Sequence, residues 1–103
     1  MKIIVLKFGG TSIGSIHRIK KVARIVKSYT KKYKVIILSS AMSGTTNKLI
    51  DMSKKISDNF ADNEYDTLVS AGEQISCSLL AGQLIENGIQ ARSLMAWQIP
   101  IIT

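Results

Sequence analysis

Histidine, cysteine and proline each occur once in the 103 residues, as His17, Cys77 and Pro100. A single histidine leaves no cluster for a metal ion, and a single cysteine excludes an intrachain disulfide framework. That cysteine usage suits a reducing cytosol, so a cytoplasmic location is expected. No apolar run exceeds four residues, which excludes a transmembrane span, and no membrane partner is expected. No signal peptide is visible, because Lys2 is followed only by a strand-length apolar run and then by Gly9-Gly10-Thr11-Ser12. Acidic residues are scarce: 7 Asp and Glu stand against 14 Lys and Arg, giving a net charge of +7. Much of the excess lies between Lys20 and Lys34. Tyr29 and Tyr33 flank that cluster without forming a platform on which bases could stack. The cluster therefore reads as a solvated helix face and the turn after it, and no nucleic-acid partner is expected.

Apolar residues make up 46%, enough for one small globular domain with a modest core. Ile3, Ile4, Val5 and Leu6 form a continuous run, predicting a strand over residues 2–7 buried on both faces of a parallel sheet. Beyond the turn, Ile16, Ile19, Val22, Ala23, Ile25, Val26 and Tyr29 recur at helical spacing. His17, Lys20, Lys21, Arg24, Lys27 and Ser28 take the opposite face. Ser15 is a plausible N-cap for this helix. A second apolar run, Val35 to Leu38, predicts a strand over residues 34–39. Strand, helix and strand make a right-handed βαβ unit, so both strands end at the same edge of the sheet. That edge is where open α/β sheets place their ligands.

Two polar loops leave that edge. The first, Gly9-Gly10-Thr11-Ser12, follows Lys7 at the strand end and has the layout of a phosphate cradle, in which amides and a helix N-terminus face an anion. It matches neither of the two best-known glycine loops, and an ordinary tight turn would look the same. The second loop, residues 39–47, offers hydroxyls, one glycine and no charge, which suits a polar small molecule or a plain loop. Thr45 or Thr46 would then cap a helix burying Leu49, Ile50, Met52, Ser53 and Ile56. A polar break over residues 57–64 precedes a helical pattern from Tyr65. Ser70-Ala71-Gly72 interrupts it, and Glu73-Gln74 opens a second run. That run carries Ile75, Cys77, Leu79, Leu80, Leu84 and Ile85 and closes at Asn87-Gly88, with Ile89 beyond as the cap's apolar contact. Glu73, in a first helical turn, either complements the helix dipole or presents a carboxylate to a cation such as an amine. Cys77 lies among leucines and reads as a packing residue. Residues 90–95 predict a third strand, and the sequence ends in an apolar run over residues 99–103.

Three stretches together resemble the motifs of one family, the aspartokinases of the amino-acid kinase superfamily. They are Lys7-Phe8-Gly9-Gly10-Thr11-Ser12, Ser40-Ala41-Met42-Ser43-Gly44-Thr45-Thr46-Asn47 and Ser70-Ala71-Gly72-Glu73-Gln74. Order, spacing and strand–loop context all agree. The resemblance implies an amino-acid kinase-like (carbamate kinase-like) three-layer α/β/α sandwich. Residues 1–103 would be its N-terminal part with a mostly parallel sheet, and the nucleotide-binding half and the regulatory ACT domains would be absent. It implies ATP-dependent phosphorylation of L-aspartate to 4-phospho-L-aspartate, the entry to lysine, diaminopimelate, threonine and methionine synthesis. By the same resemblance Lys7 would neutralise the β- and γ-phosphates, and the amides of Gly9 and Gly10 would hold phosphate oxygens, with Ser12 close by. Ser40 and Thr46 would hydrogen-bond the aspartate, and Glu73 would bind its α-ammonium group. Mg²⁺ would be held mainly by the nucleotide phosphates, with no protein ligand.

The segment Met95-Ala96-Trp97-Gln98-Ile99-Pro100 departs from the Thr-Gly pair and glycine-containing stretch usual in the family. Catalytic domains of the family are more than twice this length. Activity is therefore not expected of the 103 residues alone, unless a homo-oligomer or a complementing chain completes the site. The alternatives are a kinase of the same fold acting on another carboxylate or on carbamate, and a non-enzymatic basic binding protein.

Overall fold

The structure, a computed structural model, describes residues 1–94. The expectations on residues 95–100 and 99–103 lie outside the described residues. Along the chain run β1 (Lys2–Phe8), α1 (Ile16–Thr30), β2 (Tyr33–Ser39), α2 (Thr45–Ile56) and α3 (Asp62–Glu86). β1 and β2 pair in parallel, with Ile4 opposite Val35, Lys7 opposite Leu38 and Phe8 opposite Ser39. The βαβ unit read from the apolar runs is therefore present, with α1 as its crossover. Ser15 caps α1 as expected: it is extended, and its hydroxyl accepts the Arg18 N–H at 3.2 Å.

The core lies on one face of this sheet. Ile13, Ile19, Val22, Ala23 and Val26 meet Leu80 and Leu84 of α3, and Leu6, Phe8, Val35 and Ile37 pack against them from the strands. The pleat sends alternate residues the other way. Ile3, Val5, Ile36 and Leu38 are 62%, 56%, 49% and 51% exposed. The expectation of a strand buried on both faces is thus met on one face only. The described residues build the sheet and a helical layer of an α/β fold, and α2 rests on α3.

Each strand is one residue longer than read, and the later elements differ more. The polar break is shorter than 57–64, because α3 already starts at Asp62, and Asp62 and Glu64 put negative charge in its first turn. Nor is α3 interrupted at Ser70-Ala71-Gly72; it is one helix of 25 residues. The Ser70 hydroxyl donates to the Thr67 carbonyl at 2.8 Å, so it is satisfied inside the helix. Gly72 is a contact point rather than a breaker. A Cβ there would lie 3.1 Å from Ala41 Cβ and 3.2 Å from Thr45 Cγ2. The far end closes as read. Gly88 has φ +87°, its N–H donates to Ile85 at 3.0 Å, and the Ile89 N–H donates to Leu84 at 2.9 Å, while Ile89 packs on the core. Lys27 of α1 reaches this cap, donating to the Asn87 carbonyl at 2.9 Å. Of the third strand expected over 90–95, the described part, 90–94, is not in strand conformation. Ala91 instead packs on the core.

Candidate functional site at the strand ends

Both strands release their loops at one edge, as the βαβ reading required. After Phe8 the chain turns tightly: the Ser12 N–H donates to the Gly9 carbonyl at 3.1 Å and the Gly14 N–H to the Thr11 carbonyl at 3.3 Å. Arg18, from the first turn of α1, donates to the same Thr11 carbonyl at 2.9 Å. Ile13 is fully buried and anchors the turn to the core. The rim of the turn, with Gly9, Thr11 and Ser12, stays exposed.

The second loop interlocks with this turn. The Ser40 N–H donates to the Phe8 carbonyl at 3.2 Å, and the Ser43 N–H to the Gly10 carbonyl at 3.1 Å. The two adjacent glycines consequently do different work. A Cβ on Gly10 would sit 2.7 Å from the Ala41 carbonyl oxygen, a backbone atom that cannot swing aside. Gly10 is needed for the loops to meet. Gly9 has nothing within 4 Å of that position, so its side of the turn is open to an approaching group. Among the described residues, the amides of Gly10 and Thr11 donate to none of the turn's carbonyls.

The loop enters α2 through Gly44, at φ +87°. Gly44 takes the N-cap position that had been expected of Thr45 or Thr46. Those two are the first residues of the helix, and Thr46 is half-buried. The loop is too tight for a threonine at the cap: the Thr45 N–H donates back to Met42 at 3.0 Å, and the intervening turn needs the left-handed glycine.

Glu73 is exposed in the interior of α3, next to Gly72, so the helix-dipole reading of this carboxylate falls. One turn on, Ser76 is 1% exposed. Its hydroxyl donates to the Ser40 carbonyl at 2.5 Å, and lies 3.0 Å from the Glu73 carbonyl and 3.4 Å from the Ser39 hydroxyl. Ser76 is the residue that the sequence reading missed. The signal was there: Gly72, Ser76, Leu80 and Leu84 repeat every four residues and form the buried line of α3. Small residues lie at the loop end of that line and leucines at the core end. Cys77, beside Ser76, is half-buried; burial pushes its thiol up, the Ser39 hydroxyl pulls it down, and the Glu73 carboxylate adds a further upward push. A thiol raised in this way is a poorer nucleophile than a free cysteine.

The structure thus gathers the glycine turn, the Ser40 loop and the Glu73 turn of α3 at one corner. Lys7 stands apart from the helical layer. Strand alternation puts it, exposed, on the sheet face of Val5 and Leu38. Ser12 lines a shallow cleft of about 460 Å³ with Phe8, His17, Arg18, Lys21, Val22 and Ile25, a surface whose charge favours anions. His17 is exposed on the polar side of α1, as expected. Among the described residues, no three His, Cys, Asp or Glu gather as a metal site, and no helix is long and apolar enough to cross a membrane.

Comparison with known proteins bears on the fold and the family. The model of the "Amino acid kinase family" matches residues 2–101. The chain is 46% identical to an aspartokinase of Rickettsia felis, over all of its own length and 27% of that protein. It is 48% identical to an aspartokinase of Geobacillus stearothermophilus, again over its whole length and 26% of the relative. It therefore spans about a quarter of the length of these curated relatives. Among solved structures it is similar to an aspartate kinase from Synechocystis, with a TM-score of 0.78 and 42% identity, covering 82% of this chain and 15% of that one.

Proposed function

The chain belongs to the amino acid kinase family, and on that premise we propose that it carries the phosphate turn and the acceptor corner of an aspartate kinase. The reaction is ATP + L-aspartate = ADP + 4-phospho-L-aspartate, the first step toward lysine, diaminopimelate, threonine and methionine. The observation that carries this reading is the interlock of three segments. The Gly10 carbonyl, the Ser40 loop and the Glu73 turn are joined by Ser43 and Ser76 into one corner. Their resemblance to aspartokinase motifs, and the identity to aspartokinases over the whole chain, support L-aspartate as the substrate.

The residues suit the chemistry. A carboxylate is already a nucleophile, so the site needs positioning and charge compensation rather than a strong base. Ser40 and Thr46 offer neutral hydroxyls to the aspartate, and Glu73 offers an exposed carboxylate to its α-ammonium group. Gly9 leaves open approach to the turn, and the amides of Gly9 and Gly10 are donors for phosphate oxygens, with the Thr11 amide and Ser12 beside them. These features fit ATP, which when bound with Mg²⁺ supplies the phosphoryl group. The metal would be held mainly by the nucleotide's own phosphates. Lys7 contributes a cation at the strand end, where two anions must approach each other. A cytoplasmic setting belongs to the same proposal, as does completion of the site by a second copy or a complementing chain.

The test is titration of the purified chain with L-aspartate by calorimetry, followed by a coupled assay of aspartate-dependent ADP release with Mg-ATP. Saturable L-aspartate binding, weakened at least about tenfold by Glu73→Gln, is expected. Absence of binding by the folded wild-type chain would overturn the acceptor corner. Turnover that Lys7→Ala leaves intact would remove Lys7 from the catalytic role.

A further inference from the structure

We propose that Ser76 is a positioning residue that sets the spacing between Ser40 and Glu73, with Gly72 as the second point of the same seat. The inference rests on the acceptor-corner reading for its purpose, but the seat itself is a matter of geometry.

Helical serines usually return their hydroxyl proton to a carbonyl of the preceding turn. Ser53, the other buried serine, does this: it is 3% exposed, and its hydroxyl donates to Ile50 within α2 at 2.7 Å. Ser76 has the same option at Glu73, 3.0 Å away, yet its shorter contact, 2.5 Å, crosses to the Ser40 carbonyl. One hydroxyl thus touches the main chain of two of the three residues proposed to grip the substrate, Ser40 and Glu73. One turn earlier, Gly72 lets α3 approach Ala41 and Thr45 so closely that a Cβ there would lie 3.1–3.2 Å from them and push them back by a few tenths of an ångström. Glu73 is carried between these two fixed points and is itself exposed. The hydrogen bond from Ser76 ties this stretch of α3 to the Ser40 loop, and the close approach at Gly72 sets how near it sits. Substrate-gripping groups work only when held close to their productive geometry, and supports of this kind hold them there.

The experiment compares Ser76→Ala with Ser53→Ala, which removes a buried serine hydroxyl whose hydrogen bond stays within its own helix. Two readouts are taken on the whole chain: backbone amide shifts and hydrogen exchange by NMR without ligand, and L-aspartate affinity by calorimetry. Ser76→Ala should shift the amides of residues 39–46 and speed their exchange about tenfold, leaving β1 and α1 unchanged, while Ser53→Ala leaves residues 39–46 as in wild type. Aspartate affinity should fall about fivefold to tenfold in Ser76→Ala and stay unchanged in Ser53→Ala. Loop amides that superimpose on wild type in Ser76→Ala would overturn the seat, whether or not aspartate binds. A moved loop in a protein whose wild type binds no aspartate would keep the seat and overturn the acceptor-corner reading instead. Should Ser76→Ala not fold, Gly72→Ala decides: shifts in the same amides support the seat, and their absence rejects it.

Discussion

The two faces of the β1–β2 sheet use the same residue types and meet different surroundings. On one, Leu6, Phe8, Val35 and Ile37 pack against α1 and α3. On the other, Ile3, Val5, Ile36 and Leu38 are about half exposed or more, and Lys7 lies among them. A continuous apolar run states that both faces favour cover, since isoleucine and leucine gain nothing from water. It does not state which face the local helices take. That is decided by the crossover and by α3 returning to the same side. The difference teaches where stability and function separate in this molecule. The covered face holds the fold together, whereas the open face carries Lys7, the proposed phosphate-compensating cation.

The largest effect should come from emptying the covered face. Leu80 is 3% exposed between α1 and the sheet. Leu80→Ala should cost about 2–5 kcal/mol in a urea melt, from lost burial and the cavity left behind. A loss below about 0.5 kcal/mol would mean that α3 does not sit on this face.

Next in size is the glycine pair at the sheet's edge. Gly10→Ala forces a methyl to within 2.7 Å of the Ala41 oxygen, and should cost about 1–3 kcal/mol as the interlocked loops part. Gly9→Ala meets nothing and should leave the melting curve within about 0.5 kcal/mol of wild type. Equal losses in the two variants would show that neither loop contact is specific. If only Gly10→Ala is destabilised, the division between a structural glycine and an open one stands.

Much of this organisation was legible in the sequence, for physical reasons. Periodicity is a local property, so the βαβ unit, the Ser15 cap and the Gly88 cap could be read directly. The two loop motifs could be placed at one sheet edge because a parallel crossover brings both strand ends there. What escaped was contact between distant segments. Gly72 reads as a helix breaker in isolation because its value, close approach to Ala41 and Thr45, appears only once α2 and α3 are side by side. Ser76 reads as one polar residue in an apolar run because its partner is Ser40. Glu73 was placed at a helix start for the same reason: the supposed break before it does not exist. Thr45 and Thr46 lost the cap to Gly44, since the turn closed by the Thr45 N–H to Met42 has its third residue, Gly44, in the left-handed region at φ +87°.

Cys77 offers a smaller, pH-dependent probe of the covered side. Its thiol is raised chiefly by burial, with Ser39 opposing and Glu73 adding to the shift. Folding therefore favours the neutral thiol. That contribution is fully present below the thiol's unfolded value, about 8.5, and is lost as pH rises through the raised folded value. Stability should decline above that window in wild type and decline less in Cys77→Ala, as followed by melts from pH 7 to 10. Alkylation of the folded protein at pH 8 should be slower than that of a free thiol. A rate matching the free thiol would contradict the burial of this side chain.

The smallest expected effect sharpens the contrast most. Ile36, 49% exposed on the open face, has the same strand and the same branching as its neighbour Ile37 on the covered face. Ile36→Thr keeps the β-branched shape and strand preference while placing a hydroxyl where water already reaches. It should change stability by less than about 0.5 kcal/mol and reduce self-association, because an exposed apolar stripe on a sheet attracts others like it. Ile37→Thr should instead cost about 1–3 kcal/mol, from an unpaired hydroxyl against the core. If Ile36→Thr costs as much as Ile37→Thr, the open face is covered in solution. Sedimentation at several concentrations would then show whether the cover is a second copy, since only that cover is lost on dilution. If the two costs differ as stated, the face bearing Lys7 contributes little to the fold and is available for function.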